Sequence, residues 1–72
     1  MIEVDARGLS CPIPVVKTKK AIEENPKDMI TVLVDSAVSK ENVSRLAKSE
    51  GYSVEIEDIK DGFRLRLRPA KQ

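Results

Sequence analysis

The run Ile30-Thr31-Val32-Leu33-Val34, within a segment from Met29 to Asp35, constrains the fold more than any other stretch of the chain. It is β-branched or apolar at every position, the pattern of a central strand rather than of an edge strand with one wet face. A central strand needs neighbours on both sides, and the flanking sequence supplies them. Ile2, Val4 and Ala6 alternate with Glu3 and Asp5, which suits a short first strand parallel to the central one. Between the two, from Pro12 to Glu24, Val15, Thr18 and Ile22 share a helical face while Lys17, Lys20 and Glu24 lie elsewhere, and Asn25-Pro26 ends the helix.

Downstream, Ser39 is a candidate N-cap for a second helix, with Ser36 as an alternative start. Val43, Leu46 and Ala47 face one side of that helix, and Gly51 stands at its C-terminal cap. Tyr52 to Ile59 and Phe63 to Arg68 both alternate around Asp61-Gly62, a two-residue hairpin signal. That turn predicts Glu57 opposite Arg66, Glu55 opposite Arg68, and Ile56 against Leu67 on the core face.

The order is β-α-β-α-β-β. Right-handed crossovers put both helices on one face of the sheet, and the last strand returns antiparallel between the second and third. The expected fold is therefore α/β: an α+β two-layer sandwich with a four-stranded mixed sheet of order 1-2-4-3, in one domain spanning 1–72. Its other face, with Glu3, Asp5, Thr31, Leu33, Glu55, Glu57, Arg64, Arg66 and Arg68, is expected to be open to water or a partner.

Composition narrows the chemistry. At 72 residues the chain buries only about 60% of its unfolded surface, which leaves little room for a deep small-molecule site. It has one cysteine and no histidine, so an internal disulfide, the usual zinc ligand sets and Cys-His hydrolysis are all excluded. Thirteen Lys and Arg against twelve Asp and Glu give no global field for nucleic acid. With no signal peptide, no long apolar run and no paired cysteines, a cytoplasmic location is expected.

The chemical signal is Gly8-Leu9-Ser10-Cys11-Pro12-Ile13-Pro14, where the first strand hands over to the first helix. Gly8 permits a tight turn, Pro12 fits the first helical position and Cys11 the N-cap, which puts the sulfur over the positive end of the helix. Thiolate is the reactive form of cysteine, and a helix N-terminus favours it. Pro14 removes a second backbone donor from the first turn, so the helix is expected to begin on an exposed surface. Arg7, Lys17, Lys19 and Lys20 are candidate positive neighbours or partner-docking groups. A lone cysteine also suits a small buried apolar role, and a charged helix face suits simple solvation.

Asp5-Ala6-Arg7-Gly8-Leu9-Ser10-Cys11-Pro12-Ile13-Pro14, with Cys-Pro-X-Pro at its centre, resembles the signature of the TusA/SirA/YedF family of small sulfur-carrier proteins, nearest to its YedF-like members. Val34-Asp35, the second helix, Gly51 and the final hairpin also fall where that family places them. The resemblance implies a two-layer sandwich and a sulfurtransferase-type relay without a cofactor, in which Cys11 takes a sulfane sulfur as a persulfide. It further implies a donor such as a cysteine desulfurase or rhodanese and an acceptor such as a DsrE-like protein. The pathways served are transfer-RNA thiolation, cofactor maturation or sulfur and selenium metabolism.

Asp5 and Asp35 lie near the C-terminal ends of the two parallel strands, the edge where α/β proteins often place function. Carboxylates there oppose thiolate formation, so docking or sulfur positioning suits them better than activation. The alternative function is an RNA-binding or regulatory module resembling the C-terminal domain of translation initiation factor three, carried by Arg64, Arg66 and Arg68. Against it, the hairpin pairs two of these arginines with glutamates, and Tyr52 and Phe63 are the chain's only aromatic residues. Direct nucleic-acid binding and membrane association are not expected.

Overall fold

In the computed structural model, which describes residues 2–9, 13–26 and 28–69, every residue of the strand Ile30–Val34 (β2) is buried. It pairs in parallel with Ile2–Asp5 (β1) and antiparallel with Gly62–Pro69 (β4), which in turn pairs with Tyr52–Ile59 (β3). The sheet order is β1-β2-β4-β3, with helices Ile13–Glu24 (α1) and Ala37–Ser49 (α2) between the strands, as the alternation of patterns predicts.

The core lies between helices and sheet. Ala21 and Ile22 of α1, Val43 and Ala47 of α2, and Ile30, Val32, Val34, Leu65 and Leu67 of the sheet form one buried cluster. Each large side chain here contributes about 1.5–3 kcal/mol by leaving water. Thr18 is also fully buried; its hydroxyl donates to the Pro14 carbonyl at 2.9 Å, which satisfies the polar atom inside the helix. Among the described residues, no helix is long and apolar enough to cross a membrane.

Three expectations require correction. Ser36, not Ser39, caps α2: its Oγ accepts the Ser39 N–H at 3.1 Å, and Ser39 itself is buried one turn inside. The helix still ends as expected, with Gly51 at φ +85 just past the Glu50 cap.

The hairpin register is shifted by two from the predicted one. Ile59 pairs with Gly62, so Lys60-Asp61 is the loop; Glu57 lies opposite Arg64, Glu55 opposite Arg66, and Ile56 opposite Leu65. Burial of Leu65 and Leu67 fixes which residues of β4 face the core, but a slip of two keeps that parity and is not decided by it. At the start of β4, Gly62 comes close to the backbone of β2. A Cβ on Gly62 would overlap the Val34 carbonyl oxygen and stand 2.8 Å from Asp35 Cα.

On the sheet face away from the helices, Thr31 and Leu33 are not open but only 6% and 9% exposed. Thr31 is flanked in register by Glu3 and Arg66, and Leu33 by Asp5 and Arg64. Long stems of such neighbours cover a central strand while their charged ends stay in water.

Candidate functional site

At the C-terminal end of β1 the chain makes a turn held from both sides. Ala6 N–H donates to the Leu33 carbonyl at 2.8 Å, extending the parallel ladder one residue beyond Asp5. Asp5 then accepts three hydrogen bonds from Arg7: the backbone N–H at 3.1 Å and Nε at 3.0 Å on Oδ1, and Nη2 at 2.9 Å on Oδ2. An aspartate bonding the backbone two residues on is a turn in its own right. Gly8 follows at φ +80, a left-handed conformation that glycine adopts without a Cβ penalty, and Leu9 N–H closes onto Ala6 O at 3.4 Å.

The second anchor comes from the neighbouring strand. Asp35, immediately after β2, accepts the Gly8 N–H on Oδ2 at 2.7 Å. This joins the turn after β1 to the end of β2 through one charge-assisted hydrogen bond between residues 27 apart in sequence. Gly62 presses against the backbone of the same Val34–Asp35 step. Asp5, Gly8 and Asp35 are thus brought together at one end of the sheet.

Cys11 and Pro12, with Ser10, lie outside the described residues. The chain is described up to Leu9 and again from Ile13, the first residue of α1. Pro14 is fully buried, but the start of α1 is exposed, as the sequence predicts. The exposed side chains of the first helical turn are Ile13 and Val16.

Arg7 is not a free cation beside the turn. Its guanidinium is bound to Asp5, and Asp35 and Asp61 also act on it electrostatically. The hydrogen bonds from Arg7 hold the Asp5 carboxyl down to about 2, with a smaller contribution from the charge of Lys17. The Arg7 guanidinium is correspondingly held above its ordinary value, chiefly by its hydrogen bonds to Asp5.

The lysines divide between two surfaces. Lys17 and Lys20 line a shallow depression of about 290 Å3 along β1 with Ile2, Val4 and Asp5. Lys19 and Lys20 border Val16 on the outer side of α1. Asp61, which joins the Arg7 group, and exposed Val16 and Val38 are not among the sequence-stated candidates. Val16 was detectable as an apolar residue off the Val15-Thr18-Ile22 stripe.

On the open sheet face the arginines are engaged with glutamates. Arg64 and Arg66 reach Glu57 at 2.8 and 3.3 Å, and Arg68 reaches Glu55 at 3.7 Å. Two of these contacts, Arg66–Glu57 and Arg68–Glu55, are the pairs that the sequence predicts, made diagonally instead of directly across. Among the described residues, no group of three or more carboxylates, thiols or imidazoles is arranged to hold a metal ion.

Residues 2–68 match the family described as "Sulfurtransferase TusA". The chain is 39% identical over 70 residues to a candidate sulfur carrier protein of Methanocaldococcus jannaschii, covering 94% of this chain and 93% of the relative. It is 38% identical over 58 residues to another from Thermotoga maritima, covering 78% and 73%. The crystal structure of a SirA-like protein from Desulfitobacterium hafniense superposes with a TM-score of 0.89 at 35% identity, over 99% of this chain and 100% of that one.

Proposed function

The chain belongs to the TusA sulfurtransferase family, and from that premise we propose that it is a sulfur carrier whose Cys11 accepts a sulfane sulfur as a persulfide and relays it to a partner protein. The observation that carries this reading is the doubly anchored turn just before Cys11. Asp5 fixes Arg7, and Asp35 fixes Gly8 three residues upstream of the thiol. Such anchoring is what a group needs if it is to be presented repeatedly to different proteins in one orientation.

The transfer is a displacement at sulfur. Cys11 thiolate attacks the terminal sulfur of a donor persulfide; the new S–S bond forms as the donor's S–S bond breaks, and the donor leaves as thiolate. The proton stays on the transferred sulfur. Cys11 sulfur is oxidised as the donor's cysteine sulfur is reduced, so no external oxidant is consumed. The second step repeats the displacement with an acceptor nucleophile. With no second cysteine or histidine in the chain, the thiol has neither an internal resolving group nor an imidazole base.

Activation of the thiol falls to the start of α1, whose first turn contains no acidic residue, rather than to Arg7, which Asp5 holds. Asp35 acts as a positioning residue. A cysteine desulfurase or rhodanese is the donor class this chemistry fits, and a DsrE-like protein an acceptor class.

Incubation with a cysteine desulfurase and cysteine, followed by intact mass measurement, tests the reading. One sulfur, roughly 32 Da, should be added and removed again by reductant, and Cys11→Ala should stay unlabelled. Absence of the adduct with both desulfurase and rhodanese donors, or equal labelling of Cys11→Ala, refutes it.

A further inference from the structure

Both helices finish at the end of the molecule away from the turn that precedes Cys11, and a depression of about 390 Å3 lies between their last residues and the sheet. The twelve residues of α1 put it roughly 18 Å from the start of that helix. Ile22 and Pro26, at and just past the end of α1, and Tyr52 and Pro69, which pair across β3 and β4, give it apolar walls. Its charged groups are Glu23 and Glu50.

The charge there has one sign. Both glutamates are exposed, and neither enters an ion pair among the described residues. The C-terminal carbonyls of two helices add partial negative charge, and the last turn of α1 holds no basic residue. Lys48 is in the last turn of α2, but it lines the groove on the other side of that helix with Ile56. Lys19 and Lys20 stand one turn before Glu23 on the outer side of α1, and Arg68 is engaged with Glu55.

Tyr52 adds an acceptor within the recess. Its side chain is only 8% exposed, and its hydroxyl makes no hydrogen bond among the described residues. None of their polar side-chain atoms is both sealed from solvent and unpaired, so this oxygen opens onto the depression that the ring lines. A buried phenol oxygen, two carboxylates at the rim and apolar walls suit a donor-rich cation on an aliphatic stem. Guanidinium fits better than ammonium, because it carries five N–H donors in a plane and is more weakly hydrated.

We propose that this depression binds an alkylguanidinium, with its stem against Ile22, Pro26 and Pro69 and its head between Glu23, Glu50 and the Tyr52 hydroxyl. A free alkylguanidine and an arginine side chain share that chemistry. The site is separate from Cys11 and does not depend on the sulfur-carrier reading.

Titration of isotope-labelled protein with n-butylguanidinium, followed by amide NMR, tests it. The Gly51 and Tyr52 amides should shift and saturate, while Gly8 at the other end stays fixed. Butanol has the stem without the charge and guanidinium the head without the stem, so each should bind about tenfold more weakly or worse. Glu23→Gln/Glu50→Gln should weaken the probe by about tenfold and Tyr52→Phe by about threefold, with the rest of the spectrum unchanged. Agmatine and a capped tripeptide with arginine between two glycines separate the sources: tighter binding of the first assigns the site to a small molecule, of the second to another protein's arginine.

Absence of a saturable shift at Gly51 and Tyr52 overturns the site. Equal binding of butanol, or an affinity unmoved by the double glutamine variant, does the same. Lys27 and Lys71 lie outside the described residues. Probe binding that appears only in Lys27→Ala/Lys71→Ala also overturns the proposal, since one of the chain's own cations is then the occupant.

Discussion

The Asp35 carboxylate accepts the Gly8 N–H at 2.7 Å and so couples the end of β2 to the turn that leads into Cys11. Asparagine in place of Asp35 retains an acceptor oxygen, whereas alanine does not. Asp35→Ala should speed hydrogen exchange of the Gly8 amide by about fivefold, the equivalent of a net hydrogen bond of roughly 1 kcal/mol, and Asp35→Asn should recover most of the protection. Sulfur loading of Cys11 should slow in the same order. Equal loading rates in both variants, with Gly8 protection lost only in the alanine, would separate the hydrogen bond from function.

Asp5 supplies a pH dependence with a definite sign. Its folded-state carboxyl lies near 2, below the ordinary value of 3.8, because Arg7 hydrogen-bonds the charged form. A depressed acid stabilises the fold above its unfolded value and loses that contribution as pH falls through its folded value, here between about 4 and 2. Carboxyl resonances followed by NMR should show Asp5 titrating near the lower limit. In Arg7→Ala the midpoint should return toward 3.8. An unmoved midpoint would mean that Arg7 is not the cause.

Capping of α2 by Ser36 is testable because Ser39 competes with it as a sequence signal. Ser36 Oγ accepts the Ser39 N–H at 3.1 Å, and the Ser36 carbonyl accepts the Lys40 N–H at 3.0 Å. Ser36→Ala should cost about 1 kcal/mol in urea denaturation, and Ser36→Asp should restore most of it by the same bond to the helix start. A neutral alanine substitution would place the cap elsewhere.

Features set by local patterns were legible in the sequence; those set by contacts between distant segments were not. The run Ile30 to Val34 carried its central position in its composition, and once it was central the alternating segments had to flank it. Gly51 announced a helix end because its requirement for positive φ is local. Ser36 and Ser39 stand three apart with equal capping chemistry, so propensity alone did not rank them. Arg7 read as a spare cation because the sequence shows charge but not the side chain that meets it, here Asp5 two residues back. Asp35 read as a strand-end acid, yet its partner Gly8 is 27 residues away. Cys11 and Pro12 remain sequence assignments, being outside the described residues.

Gly62 is the sharpest case of a local signal with a tertiary cause. Asp61-Gly62 reads as a hairpin loop, but Gly62 is the first residue of β4, at φ +148 and pressed onto Val34–Asp35. A Cβ there meets backbone, which cannot swing aside as a flexible side chain does. Gly62→Ala should therefore combine backbone strain of about 1–3 kcal/mol with a steric clash, and move the β4 pairing as well as the denaturation midpoint. Gly51→Ala provides the comparison: φ is +85, but the space around a new Cβ is open, so only conformational strain of about 1–2 kcal/mol applies. If alanine at 62 costs no more than alanine at 51, close approach to β2 is not what sets the hairpin register. If it costs more and cross-strand contacts from Phe63 to Val34 weaken, the glycine is there for β2 rather than for the turn.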